Sequence, residues 1–439
     1  MAGDAEGVKG NQEEYRAIIP LNNPVMTEGK LSFTRISPVQ AADRIQSLDV
    51  LRGFAILGIL IMNIQSFSMI TAAYINPTAY GDLTGINKWV WIIGQVLANA
   101  KFMTIFSALF GAGILLFWDK ARSAGKRAGH LHYRRIFWLL VIGLIHAYFF
   151  WYGDILVGYA ICGVLVFLFR KAKPGWLLFF GLASMMVPFL IYTWGGMTIE
   201  FWPPESYKGS MESWMPAAET IQHNLDAYRG PWLGRMKVRA ESSIFMQTFY
   251  FLINGSWHSG GIMLMGMALY KWDFLTAKRS VKTYLASMLL GLALGLPLII
   301  YGILQNFKHE WFHDYSMWFG SQFNYWGSLG ISLAYISIIM LICKAGVLSG
   351  FRKILGLVGR TALSNYLFQT LACTFIFYGY GLGLYGNLER WQQILIVPVV
   401  WAVQMTLTWI WMKKYRFGPV EWLWRSLTYW RIQPIRKVG

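Results

Sequence analysis

The fold of this chain is decided at the stretch Ser47-Leu48-Asp49-Val50-Leu51-Arg52-Gly53, which opens its first long apolar run. Asp49 and Arg52 are three residues apart, so a helix places both on one face. The nine residues that follow, 54–62, carry no polar side chain. A charge at the edge of a membrane helix is costly unless it is paired or faces a cavity or headgroups. The stretch therefore predicts either an anchor, with Arg52 reaching lipid phosphates and Asp49 neutralising it, or a functional site.

Composition places the chain among helical membrane proteins. Of its 439 residues, 56% are hydrophobic and 17% aromatic, and the mean hydropathy is +0.41. Apolar segments of about 20 residues, enough to cross a bilayer, recur along the chain. They are continuous, unlike the alternating segments of a transmembrane barrel. Cys162, Cys343 and Cys373 lie in or beside apolar runs, so neither a disulfide framework nor a thiolate metal site is predicted.

We predict an all-α, polytopic transmembrane helical bundle of about ten spans. The spans are expected near residues 50–71, 102–118, 134–152, 155–170, 175–196, 243–270, 283–305, 323–343, 361–380 and 391–412. The predicted parts begin with a polar cytoplasmic tail (1–43) and a first five-span half (44–196). An outer-face loop or cap (197–242) leads to a second five-span half (243–412), and an interfacial helix with a basic tail (413–439) follows.

The distribution of basic residues predicts the orientation. Thirty of the 39 Lys and Arg residues lie on the side that holds both termini, and five of the other nine lie in 197–242. Because cytoplasmic connections are enriched in Lys and Arg, both termini are expected in the cytoplasm, with the protein spanning its membrane several times. Topology and attraction to anionic lipid account for the net charge of +18. No nucleic-acid partner is predicted.

Two segments leave alternatives open. Residues 197–242 form either a cap or a connector, and Trp214, Tyr228 and Trp232 favour a cap because a solvated linker does not need them. Residues 420–430 form a short helix that lies in the membrane interface or docks on the bundle. Its defined Gly-Pro-x-Glu turn favours docking.

Polar residues are expected at membrane depth on four of the predicted helices. Asn63 and His146 each lie eleven residues beyond an arginine that marks the inner end of a span, about 16 Å deep. A lone Asn or Ser in a span usually makes helix contacts, whereas a histidine at that depth tends to mark a site or a proton path. The set comprises Asn63, His146, His258, Ser364, Asn365 and Gln369.

With charged residues at the inner mouth, the two histidines predict a cavity open to the cytoplasm. Those charges are Asp49, Arg52 and Arg360. Asp154 precedes the fourth span, where an N-cap is favoured over a chemical role. His309 and His313 are four residues apart in an outer loop, but without a His-Glu-x-x-His order no metal site is predicted.

Several motifs resemble the bacterial YeiB family and its C-terminal domain of unknown function 418. The likeness covers residues 44 to about 430. It is carried by Leu48-Asp49-Val50-Leu51-Arg52-Gly53-Phe54-Ala55, Gly143-Leu144-Ile145-His146, Gly153-Asp154-Ile155-Leu156, Gly359-Arg360-Thr361-Ala362-Leu363-Ser364-Asn365 and Phe417-Gly418-Pro419-Val420-Glu421.

The Leu-Asp-x-x-Arg-Gly opening also resembles the first span of membrane acyltransferases. These include the sugar O-acetylating group and the lysosomal heparan-glucosaminide N-acetyltransferase, which take acyl groups from a cytosolic thioester to an acceptor across the membrane. The resemblance implies an acyl-CoA donor held by Arg52 and Arg360, and a histidine as base or acyl carrier. The chain departs from the sugar group, whose histidine falls where this chain has Asn63. It departs from the lysosomal enzyme in having no histidine in residues 64–87.

The resemblance places the protein in the bacterial inner membrane, and we therefore expect an acyltransferase-like membrane protein with His146 as base and His258 as the second candidate. Asp49 would orient Arg52, and the donor would be held by Arg52, Arg360, Asn63, Asn365 and Ser364. The acceptor would be a small molecule, a lipid or a sugar. The rival expectation is a transporter or a lipid- or metabolite-binding protein on the same scaffold, and a third is a scaffold subunit for another enzyme. The sequence allows a homodimer.

Overall fold

The computed structural model describes residues 45–437; the predicted tail 1–43, Arg44 and residues 438–439 lie outside the described range. Within it the chain is helical, with no strand and one isolated bridge between Tyr415 and Arg436. The first helices are α1 (Gln46–Ser68), α2 (Thr71–Ile75), α3 (Gly85–Leu97), α4 (Lys101–Ser123), α5 (Ala128–Phe149), α6 (Leu156–Val166) and α7 (Pro174–Met197).

The second group of helices begins in the segment predicted as a loop or cap. It comprises α8 (Pro204–Trp214), α9 (Ala218–Arg229), α10 (Met236–Phe245), α11 (Ser256–Lys271), α12 (Val281–Lys308), α13 (His313–Tyr315), α14 (Ser321–Ala345), α15 (Ser349–Arg360), α16 (Ala362–Phe377), α17 (Arg390–Lys414) and α18 (Pro419–Tyr429). A π-helix, Met246–Gly255, joins α10 to α11.

The predicted all-α membrane bundle is confirmed. Six helical stretches are long and apolar enough to cross a bilayer: Gln46–Ser68, Gly85–Ser123, Pro174–Met197, Val281–Lys308, His313–Ala345 and Arg390–Lys414. The other four predicted spans are also helical but fall outside the six. Helices α6 and α16 have 11 and 16 residues, fewer than the about 20 needed to span. The stretch 243–270 contains the π-helix, and α5 carries Arg134 and Arg135.

Helix α1 forms the centre of the bundle because most of its residues are buried and it contacts α4, α14, α15, α16 and α17. It approaches α15 closely through glycines. A Cβ on Gly53 would overlap the Leu355 carbonyl oxygen, and a Cβ on Gly359 would overlap that of Asp49. Only glycine permits this backbone contact, so the Gly53 of the opening motif is explained by packing.

Helices α1 and α16 run in the same direction, which defines two ends of the bundle. At one end, Arg52 near the start of α1 lies beside Gly359, which comes shortly before α16 (Nη1 to O 3.5 Å). At the other end, the Gly386 amide, after α16, donates to the Ser68 carbonyl at the end of α1 (2.7 Å). We call these the Arg52 end and the Ser68 end.

The segment 197–242 is folded into helices that pack on both halves of the chain. Trp214 Nε1 donates to the Trp311 carbonyl (3.0 Å), and Arg239 Nε donates to the Tyr148 carbonyl at the end of α5 (2.8 Å). Arg229 Nε donates to the carbonyl of Tyr385 beyond α16 (2.8 Å). These contacts hold α8, α9 and α10 against the bundle.

Helix α18 docks on the bundle, as its Gly-Pro-x-Glu turn suggested. The Glu421 carboxylate is buried and accepts hydrogen bonds from the Leu363 amide (2.7 Å), the Ser364 amide (3.0 Å) and the Ser364 hydroxyl. Trp424 Nε1 donates to the Arg135 carbonyl on α5 (2.8 Å). The first amides of a helix lack partners within it, so Glu421 caps α16 from a distant part of the chain.

Candidate functional site

His146 is the centre of a buried chain of polar groups. It lies in the last turn of α5 and is 2% exposed. Its Nδ1 is 2.6 Å from Asp154 Oδ2, and its Nε2 is 2.9 Å from Thr370 Oγ1. A carboxylate, an imidazole and a hydroxyl are thus joined from α5, the turn before α6, and the middle of α16.

Asp154 makes the predicted N-cap bond and a second bond to His146. Its Oδ1 accepts from the Val157 amide (2.8 Å) and caps α6, while Oδ2 binds the imidazole of His146. The side chain is fully buried. The cap therefore fixes the carboxylate in place, and the second oxygen is left to orient the histidine.

The partners of His146 determine its tautomer. An ionised carboxylate only accepts hydrogen bonds, so Nδ1 carries the hydrogen and donates to Asp154 Oδ2. The neutral ring then has Nε2 as an acceptor, and the Thr370 hydroxyl donates to it. This arrangement prepares Nε2 to take a proton from a hydroxyl group.

The turn between α5 and α6 is held in place around this chain. The Tyr366 hydroxyl donates to the Gly153 carbonyl (3.4 Å) and accepts from the Ile155 amide (3.3 Å). The Tyr366 ring lies 5.1 Å from the imidazole of His146, centroid to centroid. Trp151 is buried and stacks on Phe67 of α1 (4.1 Å). The imidazole is consequently restrained on several sides.

The predicted anion clamps come from neighbouring parts of α1 and α15 at the Arg52 end. Arg52 Nη1 is 3.0 Å from Asp49 Oδ1, the pairing expected of their spacing. The same nitrogen is 3.5 Å from the Gly359 carbonyl, next to Arg360, and Arg360 Nη2 is 3.4 Å from the Arg416 carbonyl. Arg360 ends α15, and Thr370 lies eight residues beyond Ala362, the first residue of α16, so about 12 Å of helix separates Thr370 from the start of α16.

The remaining predicted site residues have other surroundings. His258, on α11, is half-buried with its ring against Tyr325 of α14 (5.1 Å), so the structure does not bring it to His146. Asn63 is half-buried on α1 and takes no part in the hydrogen bonds of His146. Ser364 binds Glu421 of α18. Asn365 accepts from the Thr408 hydroxyl (3.1 Å).

The two outer-loop histidines do not share a site. His313 Nδ1 lies 2.6 Å from Asp314 Oδ1, and its Nε2 lies 2.8 Å from the Ser210 hydroxyl. His309 instead stacks on Tyr315 (3.8 Å). Within residues 45–437, no three His, Cys, Asp or Glu side chains are grouped so as to hold a metal ion.

Sequence reasoning missed Thr370 and Tyr366, because a lone Thr or Tyr in an apolar helix carries no signal of its own. The available signal was the spacing of His146 and Asp154, eight residues apart across a tight turn. It also missed the burial of Arg235 and Arg239, which were counted only among the charges of a loop; they are 0% and 1% exposed.

The comparisons with known proteins agree with the motifs. A family model described as "Protein of unknown function (DUF418)" matches residues 269–431. The chain is 30% identical over 433 residues to the uncharacterized protein YxaH of Bacillus subtilis (strain 168), covering 92% of this chain and 99% of that protein. It is 30% identical over 392 residues to the uncharacterized protein YeiB of Escherichia coli (strain K12), covering 88% and 96%. The YeiB likeness is confirmed.

Proposed function

This chain belongs to the YeiB family of DUF418 proteins, and on that premise we propose that it is a membrane-embedded acyltransferase-like protein. The observation that carries the proposal is the buried chain Asp154–His146–Thr370. A hydroxyl bonded to an imidazole that a carboxylate orients is the arrangement used in nucleophilic catalysis on unrelated folds.

In the proposed reaction, Thr370 Oγ attacks the carbonyl carbon of an acyl thioester while His146 Nε2 takes the hydroxyl proton. The C–S bond breaks, and the proton passes from His146 to the departing thiolate, which leaves an acyl ester on Thr370. An acceptor hydroxyl or amine then attacks this ester and gives its proton to His146. Thr370 leaves as an alkoxide and regains the proton from the imidazolium.

The donor would be held at the Arg52 end. Guanidinium groups bind phosphates through paired N–H donors, so Arg52 and Arg360 would hold the phosphates of an acyl-CoA, with Asp49 orienting Arg52. The pantetheine arm would then extend from the start of α16 toward Thr370, about 12 Å further along that helix. This division gives the arginines a binding role and the buried centre the chemical role.

The test is to incubate the purified protein with acetyl-CoA and to locate acetyl groups by mass spectrometry after an acid quench. We expect an acetyl group on Thr370 that Thr370→Val removes. Thr374→Val is the matched control, because Thr374 is also buried and lies one turn further along α16, yet does not bind His146. Wild-type protein without an acetyl group on Thr370 would overturn the proposed nucleophile.

The alternative is a transport or binding protein without catalysis. It is favoured by one observation, that both ring nitrogens of His146 are engaged and the residue is 2% exposed. The test compares the effects of acetyl-CoA, free pantetheine and phosphate-free fragments of CoA on the unfolding temperature of the protein. A ligand that binds the folded state raises this temperature. A rise with acetyl-CoA that Arg360→Gln abolishes supports the donor site. No rise with any CoA species favours the alternative.

A further inference from the structure

Two arginines are buried together at the Ser68 end of the bundle. Arg235 and Arg239 are four residues apart at the start of α10 and are 0% and 1% exposed. Residues at this spacing lie on the same helix face, where like charges repel. The pKa of the Arg239 guanidinium is lowered, mainly by burial and next by the positive charge of Arg235, which agrees with this repulsion. Such a pair needs a compensating group.

The hydrogen-bonding groups of this pair are largely unused. Nε, Nη1 and Nη2 of Arg235 and Nη1 and Nη2 of Arg239 are buried without a hydrogen-bond partner, as is the nearby Tyr378 hydroxyl. Only Nε of Arg239 is engaged, by the Tyr148 carbonyl. Unsatisfied buried polar groups are rare in native proteins because each one costs free energy. The guanidinium nitrogens can only donate and the Tyr378 hydroxyl can also donate, so what the arginines lack is an acceptor.

In the part of the chain that the structure describes, no carboxylate supplies this acceptor. Among residues 45–437, neither guanidinium forms an ion pair with Asp or Glu. The neighbours are aromatic instead. Arg235 Cζ lies 4.5 Å from the ring centroids of both Tyr378 and Tyr380, and Arg239 Cζ lies 5.2 Å from that of Trp232. Aromatic faces attract a cation but offer its N–H groups no strong acceptor.

The number of free donors indicates the class of the missing ligand. One carboxylate offers about four lone-pair positions, and the five N–H groups of Arg235 alone exceed that number. A phosphoryl group presents three or more acceptor oxygens and up to two negative charges, and it fits the forked geometry of guanidinium groups. We propose that Arg235, Arg239 and the Tyr378 hydroxyl form a binding site for a phosphoryl anion.

This site is separate from the proposed donor clamps, which lie at the Arg52 end. It is linked to the buried centre through α16, since the Tyr380 hydroxyl donates to Thr374 Oγ1 (2.6 Å), one turn beyond Thr370. Its test measures binding only, so a failure of acyl transfer leaves the result unaffected. The phosphoryl group belongs either to a membrane phospholipid or to a soluble phosphate compound.

The experiment measures the unfolding temperature of the full-length protein, stripped of lipid in a neutral detergent. One arm adds inorganic phosphate while chloride holds the ionic strength constant. The other arm adds phosphatidylglycerol, with diacylglycerol of the same chains as the phosphate-free control. We expect a rise of roughly 2–4 °C in one arm or both. A rise with inorganic phosphate assigns a soluble ligand, whereas a rise with phosphatidylglycerol but with neither phosphate nor diacylglycerol assigns a lipid headgroup.

Two variants locate the effect. Arg235→Met should abolish the rise, and without added anion it should be at least as stable as the wild type, because it removes an uncompensated buried charge. Lys237→Gln removes the same charge from an exposed position on the same helix and should keep the rise. The proposal is overturned if neither arm raises the unfolding temperature of the wild type. Equal rises in the wild type and Arg235→Met also overturn it.

Discussion

At the scale of single residues, the buried centre depends on the different bonds made by the two carboxylate oxygens of Asp154. One oxygen caps α6 and the other binds His146. The two functions can be separated by substitution, because asparagine is as good an N-cap as aspartate whereas alanine is a poor one.

We expect Asp154→Asn to cost about 1 kcal/mol of unfolding free energy and Asp154→Ala about 2–3 kcal/mol. In the asparagine variant the amide oxygen keeps the Val157 bond, and the amide nitrogen faces His146 Nδ1. The imidazole must then place its proton on Nε2 and donate to Thr370, which reverses the tautomer. Denaturation in detergent gives the energies. Equal losses in the two variants would contradict the separate roles of the two oxygens.

The sequence predicted His146 and the Asp49–Arg52 pair but could not assemble the site. Periodicity and depth can mark one unusual residue on one helix, and short spacing can pair two residues on the same helix. The bond from His146 to Thr370 joins residues 224 positions apart, and only packing decides which distant helix supplies the hydroxyl. His258 shows the same limit, since both histidines are expected at membrane depth from the sequence while their surroundings in the structure differ.

At the scale of helices, the close approach of α1 and α15 positions the proposed clamps. Gly359 meets the Asp49 carbonyl directly and lies next to Arg360. Gly356, one turn earlier on α15, has only a Val50 methyl at 3.9 Å from an added Cβ, so it provides a matched control.

We expect Gly359→Ala to destabilise the protein by about 1–3 kcal/mol because the two backbones must separate. Gly356→Ala should be neutral or stabilising by up to about 1 kcal/mol, since alanine favours the helix. Thermal unfolding of both variants checks the difference. A Gly359→Ala protein as stable as Gly356→Ala would show that α1 and α15 are further apart than described.

The cap of α16 by Glu421 predicts a pH effect. Burial raises the pKa of this carboxyl above its ordinary value of 4.5, although the bonds from Ser364 and Leu363 oppose the shift. A raised pKa in the folded state means that this group's stabilising contribution is present below pH 4.5 and is lost as the pH rises through the raised value. Glu421→Gln removes the ionisation and should flatten the dependence of the unfolding temperature on pH.

The measurement compares the wild type and Glu421→Gln at about pH 4 and about pH 8. Glu212→Gln, at an exposed carboxyl, should leave the dependence as in the wild type. An equal change in unfolding temperature between the two pH values for the wild type and Glu421→Gln would contradict the raised pKa.

At the scale of the whole molecule, hydropathy predicted where the helices lie, and all ten predicted stretches are helical. It could not decide which of them span the membrane. In helices α6 and α16 more than half of the residues are buried, whereas Leu165 and Phe375 are exposed on the bundle surface. Burial in protein and contact with lipid select the same apolar residues. The helices of 197–242 were harder to predict, because their hydrophobic residues are few and contact distant helices.

The predicted orientation can be tested with two engineered cysteines in a Cys343→Ser background, since Cys162 and Cys373 are buried. Ser123, at the end of α4, and Ser213, in α8, are both exposed. Because the basic residues place the first on the cytoplasmic side, a membrane-impermeant maleimide should label Ser213→Cys in intact cells and Ser123→Cys only after permeabilisation. The opposite pattern would reverse the orientation.

The cap of α16 also has a consequence for biosynthesis. The amide of Leu363 is bound by a carboxylate that the ribosome adds 58 residues later. A nascent chain therefore carries an uncapped helix start at the core of its bundle until Glu421 has been synthesised. Chains that terminate early would keep this defect permanently, which gives cellular quality control a structural mark of incomplete synthesis.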